Sequence, residues 1–169
     1  AMNNHHGVVA KLLESGADPD LVDINNYSAL IWAVEEGHSR CVSILLDHNA
    51  DVTICCTGKH KKVNALMLAA LLGHGSIISI IIEFVDKHDE LDRVEYLKAQ
   101  TDLGRNALML AYQAGHHSLV LQLIEAVHVD QRFEYIHATD NHGESCLHNA
   151  VINGHVECVS ALLDAGARV

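Results

Sequence analysis

The sequence predicts an all-α solenoid, in which short helix-turn-helix units are stacked in a single row. The dipeptide Gly-His occurs four times, beginning at Gly37, Gly73, Gly115 and Gly154, with spacings of 36, 42 and 39 residues. An apolar segment precedes each Gly-His, and a second apolar segment follows it. Repetition at this period is typical of proteins whose units bury a core only against their neighbours.

The first helix of each unit is predicted by a polar residue at its start and a glycine at its end. The polar residues are Ser28, Asn64, Asn106 and Ser145, and an Ala-Leu or Cys-Leu pair follows each of them. Their side-chain oxygens can accept a backbone N–H that has no partner within the helix. The glycine suits a left-handed helix end, because it has no Cβ.

The second helix of each unit is predicted by apolar residues at helical spacing after Gly-His. Examples are Val42 with Leu45-Leu46, and Val159 with Leu162-Leu163. Such spacing places the apolar side chains on one face of a helix. A polar loop then leads to the next unit.

The last unit carries the most complete motif of the chain. It reads Asp140-x-x-Gly143-x-Ser-x-Leu147-His148-x-Ala150, followed by Gly154-His-x-x-Cys-Val-x-x-Leu-Leu163-x-x-Gly166-Ala. These residues resemble the ankyrin-repeat family, and the resemblance covers nearly the whole chain. It implies an ankyrin-repeat solenoid of stacked helix-turn-helix units with β-hairpin fingers. We expect one domain, 1–169, with a partial repeat over 1–22 and full repeats over about 23–56, 57–100, 101–138 and 139–169.

The charge balance disfavours a nucleic-acid-binding function. The chain has 11 basic and 22 acidic residues and a net charge of −11, whereas nucleic-acid-binding domains usually present a basic face. It has no uninterrupted apolar run of about 18 residues, so membrane insertion is not predicted. Five cysteines in this acidic chain favour a reducing, cytoplasmic compartment over a disulfide framework. Since neither end shows a polar capping repeat, we expect a monomeric fragment of a longer protein.

Catalytic and cofactor-binding motifs are not recognised in the sequence. A Gly-rich phosphate loop, a nucleophile elbow and a His-Glu-x-x-His motif are all missing, so we predict neither enzyme activity nor a cofactor. His142, Cys146 and His148 are the best group of metal-ligand types, but Cys146 and His148 match structural positions of the repeat. Cys55-Cys56 is interpreted as an incidental loop pair. A metal- or redox-responsive domain that uses these residues is the remaining alternative.

Family resemblance places partner binding on the fingertips and on the exposed side of the first helices. The predicted contact residues are Asn25, Tyr27, Trp32, Glu35, Glu36, Lys61, Leu71, Leu72, Leu103, Arg105, Gln113, His142 and Ile152. Leu71 and Leu72 are predicted to be exposed, and contiguous exposed apolar surface tends to mark a partner site.

Two features of this face allow alternative interpretations. Trp32 begins a row with Leu68, Leu110 and Asn149, and is either a binding hot spot or a partly buried core residue. Three lysines fall within 59–62, which is either a contact for an acidic ligand segment or a solvated turn.

Two insertions follow second helices and share a pattern at an offset of 39 residues. They contain Arg93-Val-Glu-Tyr96-Leu and Arg132-Phe-Glu-Tyr135-Ile. The paired tyrosines and apolar residues predict an extended helix or extra turn docked on the convex side. A second interaction surface is the alternative.

Taken together, these patterns predict a protein-protein interaction module that binds a protein or peptide segment on its concave face. The alternative is an intramolecular regulatory or substrate-recruiting domain of a larger enzyme, channel or bacterial effector. A fold alone does not distinguish these two functions.

Overall fold

A computed structural model of the protein describes residues 4–57, 62–88 and 90–167. The helices in these ranges are α1 His6–Glu14, α2 Ala29–Glu35, α3 Ser39–Asp47, α4 Ala65–Leu72, α5 Gly75–Lys87, α6 Arg93–Lys98, α7 Ala107–Gln113, α8 His117–Ala126, α9 Val129–Ile136, α10 Cys146–Ile152 and α11 Val156–Asp164. Extended pairing over the same ranges is limited to the bridges Cys56–Val63 and Thr139–Ser145. The predicted all-α class is confirmed.

The helices form two layers. In the first layer α2, α4, α7 and α10 contact one another in order, and in the second layer α1, α3, α5, α8 and α11 do the same. The layers are joined within each unit, where α2 contacts α3, α4 contacts α5, α7 contacts α8 and α10 contacts α11. One continuous apolar core therefore runs along the array.

Side-chain caps fix the start of every first-layer helix, as the sequence predicts. Ser28, Asn64, Asn106 and Ser145 each accept a hydrogen bond from the backbone N–H three residues later. Their own backbones are extended, which is the conformation expected of a residue just before a helix. The local sequence therefore sets the register at which each unit begins.

Replacing the cap Asn64 with alanine is expected to lower the free energy of unfolding by about 1–2 kcal/mol. Asn64 is buried, and its Oδ1 accepts the Met67 N–H at 2.9 Å, so alanine leaves that donor without a partner or water. Urea unfolding followed by circular dichroism measures the change. Asn64→Ser is the control, because a serine hydroxyl keeps the cap, as it does at Ser28 and Ser145; an equal loss in both variants would contradict this account.

Three of the four glycines that end the first-layer helices are covered by histidines of the next unit. Gly73 lies in the left-handed region, and a Cβ added to it would sit 2.8 Å from His116 Cε1. The same imidazole donates a hydrogen bond from Nε2 to the Leu71 carbonyl oxygen at 3.2 Å. His74 covers Gly37 and His155 covers Gly115 in the same manner. The recurring Gly-His dipeptide thus links each unit to its predecessor.

The two insertions pack against the second layer, as predicted for an added helix. α6 contacts α5 and α9 contacts α8. Tyr96 of α6 is buried, and its hydroxyl donates to the Val52 carbonyl oxygen at 3.1 Å. Tyr135 of α9 is also buried, and Arg132 donates to the carbonyl oxygen of Val127 at the end of α8. The repeated tyrosines are therefore core residues.

Candidate protein-binding face

Three fingertips have the same side-chain-supported turn. Asp23 Oδ1 accepts the backbone N–H groups of Asn25 and Tyr27 at 2.8 and 3.0 Å. Thr101 Oγ1 accepts those of Leu103 and Arg105 at 3.3 and 3.2 Å. These bonds replace the water contacts that a free loop would need, so each tip is held in one conformation.

The third fingertip has the same bonds and an added ion pair. Asp140 Oδ1 accepts the backbone N–H groups of His142 and Glu144 at 2.9 and 3.1 Å. Arg105 of the preceding finger donates from Nε to Asp140 Oδ2 at 3.1 Å. Burial alone would raise the pKa of the Asp140 carboxyl, but these three donors bring that pKa below its usual value.

Neighbouring fingers are also hydrogen-bonded to each other. The Thr57 N–H donates to the Asn25 carbonyl oxygen at 2.9 Å, and Asn26 Nδ2 donates to the Cys55 carbonyl oxygen at 2.6 Å. Farther along the array, the Asn141 N–H donates to the Leu103 carbonyl oxygen at 3.0 Å. The fingers therefore form connected platforms that present their tip side chains to solvent.

Apolar side chains stand at two of these tips. Ile24 is 99% exposed and Leu103 is 50% exposed, while Asn25 and His142 are exposed polar neighbours. Ile24 is not among the contact residues predicted from the sequence. The sequence feature that could have identified Ile24 is its position between the turn-forming residues Asp23 and Asn25, where an apolar side chain cannot reach a core. An isolated apolar residue on a rigid turn is suited to contact with another protein.

The prediction that Tyr27 contributes to the exposed face is wrong. Its side chain is only 7% exposed and lies against Trp32, with ring centroids 4.8 Å apart. Burial, reinforced by the nearby Cys56 and Glu35, raises the pKa of Tyr27 to about 12. Trp32 itself is half-buried and packs against the core, so it presents only one edge to a partner. The row that Trp32 begins, with Leu68, Leu110 and Asn149, is otherwise buried.

Leu71 and Leu72 are less exposed than predicted, and their contact with a partner stays a prediction. Both side chains are partly buried and pack against the core. The Leu71 carbonyl is covered by His116 of the next unit. Stacking of the next helix pair removes most of this surface from water, which a single repeat viewed in isolation does not reveal.

Arg105 and Gln113, predicted separately as contact residues, are brought together by the fold. Arg105 Nη1 donates to Gln113 Oε1 at 3.0 Å, in addition to its bond with Asp140. The arginine is therefore engaged in holding two neighbouring units, while Gln113 stays exposed. Contact of Arg105 with a partner stays a prediction.

The remaining predicted residues occupy the ends of first-layer helices or lie outside the described ranges. Glu36 and Ile152 are exposed, Glu35 is half-buried, and Lys61 falls in the segment 58–61, outside the described residues. Lys62, which is described, is exposed with a positive φ of 55°. The described face thus combines apolar tips with acidic and amide groups on the helix ends.

The model of the family described as "Ankyrin repeats (3 copies)" matches residues 1–90 and 86–169. The chain belongs to the ankyrin-repeat family. Repeats of this family are non-catalytic modules that mediate binding to protein partners. The match agrees with the two helix layers and with the cap and Gly-His positions.

Ankyrin-containing relatives of this chain include plant proteins named as ubiquitin ligases. The chain is 29% identical over 169 residues to the Oryza sativa protein named "Probable E3 ubiquitin-protein ligase XBOS32", covering 100% of this chain and 30% of the relative. It is 32% identical over 173 residues to E3 ubiquitin-protein ligase XBAT32 of Arabidopsis thaliana, covering 100% and 29%. It is 32% identical over 88 residues to Inversin of Danio rerio, covering 52% and 8%. The chain therefore spans less than a third of the length of these relatives.

Four of the five cysteines of this ankyrin array are buried, and Cys55 is partly buried. Burial raises the pKa of Cys55 and Cys56, which keeps both groups in the protonated form and lowers their reactivity. Burial likewise raises the pKa of Cys146 to about 12. Within the ranges that the structure describes, no three His, Cys, Asp or Glu side chains converge as metal ligands. Nor does any helix in those ranges have the length and apolar character to cross a bilayer.

Proposed function

We propose that this ankyrin array is a protein-binding module of a larger protein, and that it holds a protein or peptide segment along its fingertips and first-helix ends. The observation that carries this proposal is the pair of exposed apolar tips, Ile24 and Leu103, on turns fixed by side-chain hydrogen bonds. Rigid anchors of this kind reduce the ordering cost of binding. Asn25, Glu36, Gln113, His142 and Ile152 surround them as further contacts, and Trp32 and Glu35 contribute their exposed edges.

A second candidate function is recruitment of a substrate or another domain within a larger enzyme. It is favoured by the relatives named as E3 ubiquitin-protein ligases, of which the chain spans about 30%. In this case the array contributes recognition, and catalysis is performed elsewhere in the full-length protein. The five cysteines, joined by no disulfide, fit a reducing compartment for either function.

The fingertip proposal is tested by affinity capture and quantitative mass spectrometry with the variant Ile24→Asp/Leu103→Asp. We expect recovery of the specific partner to fall about tenfold, because charged groups replace the apolar anchors. The matched control is Val129→Asp/Phe133→Asp, which adds the same charge at side chains that are 68% and 54% exposed on α9. Circular dichroism first verifies that both variants fold.

Each outcome of the capture experiment has a definite meaning. Loss of the partner from the fingertip variant alone supports the proposed face. Loss from both variants shows a response to charge, and loss from the α9 variant alone moves the site to α9. Unchanged recovery with both variants shows that the two tips are not anchors. Each of these three results overturns the proposal. The variant Leu71→Asp/Leu72→Asp is unsuitable, because these partly buried side chains also support folding.

A further inference from the structure

A groove with a mixed polar and apolar lining runs between α3 and α5 in the second layer. α3 has nine residues and α5 has thirteen, and Ser39 and Gly75 start them at equivalent positions. The turn from Phe84 to Lys87 therefore extends about 6 Å beyond the end of α3, at a rise of about 1.5 Å per residue. α6 packs against α5, but on the α3 side the extra turn borders an open cleft of about 520 Å³.

The floor of this groove is part polar and part apolar, and its apolar side chains continue past the end of α3. Leu46, Ile80 and Phe84 line its first part. The second part, about 370 Å³, shares Phe84 with the first and reaches Leu91 in the segment after α5. Volumes of this size lie within the range of protein clefts that bind ligands. The surface is thus a continuous strip that could receive several side chains of one segment.

Phe84 is held in place within the groove by His88. The two rings have centroids 4.0 Å apart, and His88 Nδ1 donates to the Phe84 carbonyl oxygen at 2.8 Å. The Phe84 ring is therefore already packed against an imidazole in the unbound chain. A preformed apolar surface favours binding because little side-chain freedom remains to be lost.

The rim of the groove carries a surplus of negative charge. Asp47 and Glu83 flank the first part, and Asp51 and Glu90 flank the second. Among the described residues that line the first part, Lys87 provides an ammonium group. Its Nζ lies 2.7 Å from Glu83 Oε1. Hydrogen bonding to Glu83 is the main cause of the raised pKa of Lys87, to which Asp47 also contributes. The acidic groups therefore outnumber the cation that faces them.

We propose that this groove is a second docking surface, which binds a basic amphipathic peptide segment of a partner protein. Apolar side chains of the segment would contact the partly exposed Ile80, Phe84 and Leu91, and its Lys or Arg side chains would pair with Asp47, Asp51 and Glu90. Complementary charge at the rim selects a basic segment over an acidic one. The groove belongs to the second helix layer, so this proposal does not rest on the fingertip function.

The probe for this groove is a fluorescein-labelled helical peptide of leucine and lysine, with leucines along one face. Fluorescence anisotropy titrations near 0.15 M salt measure its affinity, since surface charges interact over only about 8 Å under that condition. We expect saturable binding to the wild-type chain. Replacing the peptide's lysines with glutamate, or its leucines with serine, should each weaken binding by about tenfold or more.

Charge reversal in the groove tests its location. Asp47→Lys/Glu90→Lys is expected to weaken binding by about tenfold, because the rim would then repel the peptide. Glu14→Lys/Asp164→Lys is the matched control: these exposed residues end α1 and α11 as Asp47 ends α3, and the net charge change is identical. We expect the control to change affinity by less than about twofold.

Each other result would overturn the proposal. Equal weakening in both variants means that the peptide responds only to the overall charge of an acidic protein. Insensitivity to loss of the leucines means that the apolar side chains of the groove are not used. Lack of saturable binding by the leucine-lysine peptide removes the site altogether. Capture assays with the fingertip variant are independent of these results, so the two proposals can fail separately.

Discussion

Replacing Val34 with aspartate is expected to unfold much of the array, whereas the same change at Val151 should leave it folded. The two valines occupy the same position of the first-layer helix, together with Ala70 and Tyr112. Val34, Ala70 and Tyr112 are 0% exposed because the following unit covers them, but Val151 is 61% exposed. A single chain thus offers a buried site and its solvent-exposed equivalent.

The expected difference between these variants is large. An unpaired carboxylate at Val34 must be desolvated, and the apolar contacts of valine are lost, so we expect a loss of at least about 4 kcal/mol. Val151→Asp should change the free energy of unfolding by about 0.5 kcal/mol or less, as is usual on a surface. Urea unfolding monitored by circular dichroism and by Trp32 fluorescence measures both. Similar losses in the two variants would refute the stacking described.

Replacing Gly73 with alanine is the second change with a large expected effect. Gly73 has φ of +83°, a conformation that costs a residue with a Cβ about 1–2 kcal/mol. The new Cβ would also lie 2.8 Å from His116 Cε1, which forces the imidazole to move and weakens its hydrogen bond to Leu71. We expect a total loss of about 2–4 kcal/mol, with thermal or urea unfolding as the measurement.

Gly154→Ala separates the cost of the left-handed backbone from the cost of the clash with the histidine. Gly154 has φ of +71°, but a Cβ placed there would meet no atom within 4 Å. This variant should therefore show only the backbone cost of about 1–2 kcal/mol. In a His116→Ala background, Gly73→Ala should fall to the same value, since the clashing ring is gone. If Gly73→Ala and Gly154→Ala are equally destabilising in the native background, the histidine contact has no energetic role.

Local features of the fold were readable from the sequence because they depend on neighbouring residues. Ser28 and Asn64 act as helix caps, and Gly73 ends a helix in the left-handed region, each through bonds made within a few positions of the chain. The insertions were also interpreted correctly, since Tyr96 and Tyr135 repeat at one offset and pack inward. These signals need no knowledge of how units are oriented.

Contacts between units were much harder to predict. Tyr27 and Leu71 stand at positions that face solvent in an isolated repeat, yet packing between neighbouring side chains and units covers most of their surface. The groove beside Phe84 arises from the different lengths of α3 and α5, which only the three-dimensional pairing makes visible. Exposure in a stacked array is set jointly by two units, so single-unit patterns misplace it.

Under the proposed fingertip binding, the hydrogen bonds that join neighbouring fingers also affect how a partner is recognised. Leu103 and Asn141 are linked through the backbone, and Arg105 joins Asp140, so these bonds couple the two tips. A ligand that touches both meets a surface with little conformational entropy left to lose. Calorimetry of such a complex should therefore show a smaller entropic penalty than binding to independent loops. The array would discriminate between partners by the distance between the side chains that contact the two tips.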